Sequence, residues 1–101
     1  VVLYVFSTYS FAGYNANHRS VITGVYVYSD TDAIYITLQN KPETVCKNNY
    51  FIVADNVPES RRQMLLSRLL LAFASKEVVN IGYDEEGGNC ANGYVRIYRV
   101  G

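Results

Sequence analysis

Residues 20–28 (SVITGVYVY) are a mainly apolar, β-branched and aromatic run between polar segments, and the run predicts a first strand. Gly24 inside it predicts a bulge. Residues 29–32 (SDTD) read as a turn, and residues 33–39 (AIYITLQ) as a second strand that pairs with the first. A loop follows over residues 40–49, with Pro42 and the first cysteine, and then a short third strand over residues 50–54. Asn56 looks like a helix cap, with Pro58 in the first turn and Glu59 three residues after the cap. From Pro58 to Lys76 the apolar residues Leu65, Leu66, Leu69, Leu70 and Phe73 recur at helical spacing. Residues 78–83 and 94–100 form the fourth and fifth strands, separated by a polar, glycine-rich loop.

The order strand-strand-strand-helix-strand-strand predicts a mainly β protein with one helix, and specifically a five-stranded barrel of the OB type. The bulge glycine fits, because a barrel strand bends sharply to serve both halves. The competing architecture is an open α+β antiparallel sheet with the helix packed on one face.

Residues 1–6 (VVLYVF) are almost wholly apolar, and Ser10 and Ala12 are small residues at the third and first positions before a candidate cleavage point. Residues 1–12 are therefore expected to be the tail of a secretory signal or an N-terminal extension, the other reading being an N-terminal strand. Residues 13–101 are expected to form a single OB-like domain, since 101 residues supply one core and not two. The predicted helix carries Arg61, Arg62, Arg68, Lys76 and Glu77, so no membrane span is expected.

Composition narrows the function. Half of the residues are hydrophobic, which excludes a disordered chain. Nine basic side chains balance nine acidic ones. The broad attraction that nucleic-acid and anionic-membrane binders rely on is missing. Binding of single-stranded nucleic acid, an activity of many OB barrels, is correspondingly disfavoured.

Reactive groups are sparse. His18 is the single histidine, and no nearby motif offers it a nucleophile and an orienting carboxylate. Asp84, Glu85 and Glu86 are adjacent and do not alternate as calcium ligands do. Gly87 and Gly88 are followed by no Lys-Ser/Thr pair. The two cysteines, Cys46 and Cys90, lack metal spacing, and one histidine cannot complete a zinc site with them. They are either a disulfide in an oxidising compartment, stabilising the fold by roughly 4 kcal/mol, or two free thiols in the cytosol. Neither an enzyme nor a cofactor is expected.

Tyrosine carries the stronger signal: there are ten, with four phenylalanines and no tryptophan. In the first strand Tyr26 and Tyr28 share a face opposite Val25 and Val27. In the second, Tyr35 lies opposite Ile34 and Ile36. In the fifth, Tyr94, Arg96 and Tyr98 share a face opposite Val95 and Ile97. The aliphatic sets are expected to fill the core and the tyrosine sets, with Thr37 and Arg96, to face outward. Flat rings, phenolic hydroxyls and a guanidinium suit stacking on sugars, and Tyr26, Tyr28, Tyr35, Tyr94, Arg96 and Tyr98 are the candidate ligand residues. The same rings also serve plain cross-strand packing or a subunit interface.

The run VITGVYVYSD, a cysteine before a short F-x-V strand, MLLSRLLLAFASKEVVNIGY and a late cysteine together resemble a group of small secreted bacterial proteins. Their layout is similar to that of the B subunits of subtilase-cytotoxin and pertussis-like AB5 toxins. The resemblance covers residues 21–100 and rests on pattern and order. It implies an OB-type barrel, export to the periplasm or beyond the cell, one bond joining Cys46 to Cys90, and a homo-oligomer, as a ring of five. It also implies host glycans, often sialylated, as ligands and a toxin A subunit as partner. The toxin subunits' second cysteine pair is absent, and no residue of their glycan site is carried over to this chain. A second function class stays open beside this one: an exported protein–protein module, an inhibitor or an accessory subunit.

Overall fold

The computed structural model describes residues 14–44, 46, 49–84 and 90–101. The expectations for residues 1–12, and for most of the acidic and glycine run at 84–88, lie outside them.

Among the described residues, six strands and one helix follow in the order β1 (Ala16–Val27), β2 (Ile34–Leu38), β3 (Phe51–Val53), α1 (Glu59–Ser75), β4 (Val78–Tyr83), β5 (Val95–Arg96) and β6 (Arg99–Val100). They form one curled sheet, ordered β5-β3-β2-β1-β4-β6. The fold is thus mainly β with a single helix and one disulfide, Cys46–Cys90, but the sheet is not the expected closed barrel of five strands. The physical reason lies in the last strand. Val95–Arg96 runs parallel to β3, whereas Arg99–Val100 runs antiparallel to β4, at the other edge of the sheet. Between them Ile97 donates its amide to the Ile52 carbonyl, 2.8 Å, and Tyr98 donates to Gly82, 2.9 Å. One expected strand is therefore split into two edge strands.

β1 starts earlier than its apolar run. The mostly polar residues Ala16 to Arg19 pair with Tyr83 to Asn80 of β4, so His18 lies in a strand and not ahead of it. The bulge falls between Ile22 and Gly24, with Thr23 the extra residue: two steps along β1 there match one step along β2, from Leu38 to Thr37. This changes the facing of everything after it. Ile22 and Val25 both turn toward the core, and Tyr26, which has the same parity as Ile22, lands on the opposite face.

The core fills the concave face with Ile22, Ile34, Ile36, Phe51, Val53, Val79, Ile81, Val95 and Ile97, closed by Leu69 and Ala72 of α1. Tyr83 joins it edge-on to Phe51, with ring centroids 5.8 Å apart. Of the expected core positions, Val27 is 63% exposed because it stands at the open end of β1, and Leu70 and Phe73 also face solvent.

α1 is entered through Pro58, whose carbonyl accepts the Arg61 and Arg62 amides, and no side chain caps it. Asn56 is not the cap; its Oδ1 accepts from Arg96 at 3.0 Å. The helix ends at Lys76 in the left-handed conformation, with the Glu77 amide returning to Ala72 O at 3.0 Å. Arg68 and Glu77 close the end as an ion pair at 3.0 Å that holds the Glu77 carboxyl below its usual range. No helix among the described residues is long and apolar enough to cross a membrane.

Candidate ligand surface

The convex face opposite the core carries the candidate site. Its floor is Ile52, Ala33, Ala54 and Ala91, all buried. Small residues flanking the strands leave room for large rings to lie over them. Register then sets one row across the sheet: Tyr26 opposite Tyr35, Tyr35 opposite Ile52, Ile52 opposite Arg96.

Five tyrosines interlock on this face. Tyr35 is the hub, meeting Tyr28 and Tyr94 edge-on at 5.3 and 5.2 Å and Tyr50 at 6.0 Å. Tyr50 and Tyr94 stack at 6.2 Å with their planes 15° apart. Tyr26 packs on Tyr50 at 5.6 Å. Edge-to-face and offset contacts at these separations follow the quadrupoles of the rings and stabilise by about 0.5–1.5 kcal/mol each beyond the area they bury. Tyr26 and Tyr28, 38% and 47% exposed, offer the most ring surface to solvent.

Gly24 seats one ring. A methyl there would overlap the Tyr26 ring, only 2.6 Å from its Cζ. Tyr26 therefore folds back over its own strand where no side chain stands. Gly93 serves a different need: with Asn92 at φ 54 and Gly93 at φ 87, Ala91 to Tyr94 closes a tight turn through two amide–carbonyl bonds of 2.8 and 2.9 Å. That turn lifts Tyr94 into line with Tyr35.

Partial burial pushes the Tyr35 phenol above its ordinary value, and the neighbouring Tyr94 and Tyr28 phenols and the Asp30 and Asp55 carboxylates push it the same way. Tyr35 therefore stays a neutral hydroxyl, a donor as well as an acceptor, throughout the physiological range.

Of the candidate residues, the structure brings Tyr26, Tyr28, Tyr35 and Tyr94 together. It places Arg96 at the end of the same row, held by Asn56. Tyr98 stands apart, stacked on Tyr14 at 6.4 Å near the other edge, because the chain crosses from β3 to β4 between Arg96 and Arg99. Thr37 is tied to Thr23 by a hydroxyl–hydroxyl bond of 2.8 Å. Sequence reasoning missed Tyr50. The inward facing of Phe51 and Val53 carries its signal, since alternation puts the residue before Phe51 outward.

Elsewhere, His18 is engaged, its Nε2 2.7 Å from the Asn40 carbonyl oxygen. Arg62 donates to the Val57 and Asp32 carbonyls. The tyrosine face itself offers hydroxyls and ring faces.

No protein-family model matches the chain, and no curated protein or solved structure matches it either.

Proposed function

We propose that this protein is an exported, non-enzymatic binding module that engages carbohydrate through the tyrosine face. The observation that carries the reading is the five-ring cluster of Tyr26, Tyr28, Tyr35, Tyr50 and Tyr94, two of them substantially open to solvent. Sugar rings present a flat C–H face to a phenol and hydroxyls to its oxygen, and a pre-packed cluster loses little side-chain freedom on binding. The disulfide agrees with export, since such bonds persist in oxidising compartments. The curled sheet is read as a variant of the OB-type scaffold, in which β1, β2 and β3 supply the ligand face. The resemblance of the sequence to toxin B subunits adds a homo-oligomer, as a ring of five, with a glycan of a host surface as ligand and an A subunit as partner.

The test is a glycan array probed with the oxidised protein. Binding that falls at least about tenfold in Tyr28→Ala and persists in Tyr98→Ala supports the reading. Absence of any glycan binding at high protein concentration retires it.

One observation favours a second reading, an exported protein–protein module. The solvent side of α1, polar at its start, carries exposed apolar side chains further along, with Met64 71% and Leu71 63% exposed beside Leu70. Exposed apolar side chains grouped on one face mark an interaction surface. Light scattering of the pure protein separates the two: a stable oligomer covers this face with further copies, whereas a monomer leaves it for a different protein.

A further inference from the structure

The Cys46–Cys90 bond spans 44 residues. The same offset of 44 recurs in the parallel pairs Phe51–Val95 and Ile52–Arg96 and in the Tyr50–Tyr94 stack. Each cysteine stands four residues before a stacked tyrosine and five before a paired strand residue. The disulfide thus ties the chain just before β3 to the chain just before β5, against the same core cluster as Phe51 and Val95. We propose that Cys46–Cys90 pins this register, so that the tyrosine face is assembled in the oxidised protein and comes apart on reduction while the rest of the sheet stands. Its consequence for binding rests on the reading of that face as the ligand surface; the structural part does not.

The β3–β5 ladder needs such a pin more than its neighbours do. β1 pairs with β4 through six positions and with β2 through five, all antiparallel, and β2 pairs with β3 through three. β3 and β5 pair through two, in parallel, after α1 and β4 have intervened. A parallel pair between distant segments has no hairpin to set its alignment. The cost of misalignment is also largest here. A slip of one residue would turn Val95 and Ile97 out of the core and bring Tyr94 and Arg96 in. At the other edge, β6 is held without a covalent link by Ile81–Val100, Gly82–Arg99 and the reciprocal bonds of Asn80 and Gly101, 3.0 and 2.9 Å.

A dithiol reductant would open the bond by giving two electrons and two protons to the sulfurs. Two cysteine thiols form, and the dithiol leaves as its own cyclic disulfide.

The experiment uses the full chain, oxidised and then reduced with a dithiol while free thiols are counted, beside the Cys46→Ala/Cys90→Ala variant. Amide exchange is followed by NMR at Ile97, which bonds to Ile52 on the β3 side, and at Gly101, which bonds to Asn80 on the β4 side. Exchange at Ile97 is expected to rise at least about tenfold more than at Gly101. The ring signals of Tyr50 and Tyr94 are expected to move, while those of Tyr14 and Tyr98 hold. Unchanged Ile97 exchange and ring signals with both sulfurs free overturn the proposal. So does simultaneous loss of protection at both edges, which makes the bond a staple of the whole fold. If oxidised protein binds no glycan yet these signals move as expected, the carbohydrate reading falls and the pinned register stands. Equal glycan binding by oxidised and fully reduced protein overturns the redox dependence and leaves the carbohydrate reading intact.

Discussion

Two tyrosine stacks flank the last segment of the chain, and they have different meanings. Tyr50–Tyr94 and Tyr14–Tyr98 have nearly the same geometry, 6.2 and 6.4 Å between centroids and 15° and 25° between planes. The first is embedded in a cluster whose hub, Tyr35, touches three other rings over a floor of alanines and Ile52. The second is a pair beside Gly82, where Tyr14 leans within 3.0 Å of the place a Cβ would occupy. Geometry of a pair therefore does not make a cluster. What makes one is the number of rings that share a floor, and that is set by strand register.

The strongest way to break the contrast is to remove the hub. Tyr35→Ala should lower stability by about 2–3 kcal/mol, because it deletes three ring contacts and uncovers Ile52; urea unfolding measures it. The same experiment on Tyr98→Ala should cost less than about 1 kcal/mol and leave ligand binding unchanged. Gly24→Ala should have an effect of the same small size. The added methyl displaces the Tyr26 ring, so its NMR signals and those of Tyr50 should shift, while stability changes by about 1 kcal/mol or less.

The smallest expected effect is a matter of pH. The folded pKa of Tyr35 lies above its unfolded value, so the unfolded chain loses that proton first as pH rises. The associated stability is fully present below the ordinary tyrosine range and is lost as pH climbs through it to the folded value. Tyr35→Phe should show a shallower alkaline decline in unfolding free energy than the parent protein. Equal slopes would remove Tyr35 from the account of that decline.

Most of the element map was legible from pattern. Residues 78–83 form β4 as expected, β2 and β3 fall within a residue of their predicted bounds at each end, and α1 differs at its ends by a residue. These segments have strong periodicity or clear punctuation. The two failures share a cause. Residues 16–19 are mostly polar yet form a third of β1, and residues 94–98 alternate yet the segment 94–100 splits between two edges. In both, the partner strand decides, and periodicity within a segment does not name its partner. The site shows the same division. Alternation placed Tyr26, Tyr28, Tyr35 and Tyr94 outward, but their convergence, the inclusion of Tyr50 and the exclusion of Tyr98 depend on the Thr23 bulge and on where the last segment changes partners.

That change of partners also bears on how the protein behaves when crowded. The outer strands of the sheet, β5 and β6, are two residues each and belong to one short stretch of chain. Long unpaired strand edges are templates for intermolecular pairing and fibril growth. Here the three-residue β3 and the six-residue β4 are each capped by a rung too short to recruit another molecule. A tyrosine-rich, half-apolar chain with no net charge is by composition a candidate for aggregation, and among the described residues this arrangement leaves only short edges on which it could begin.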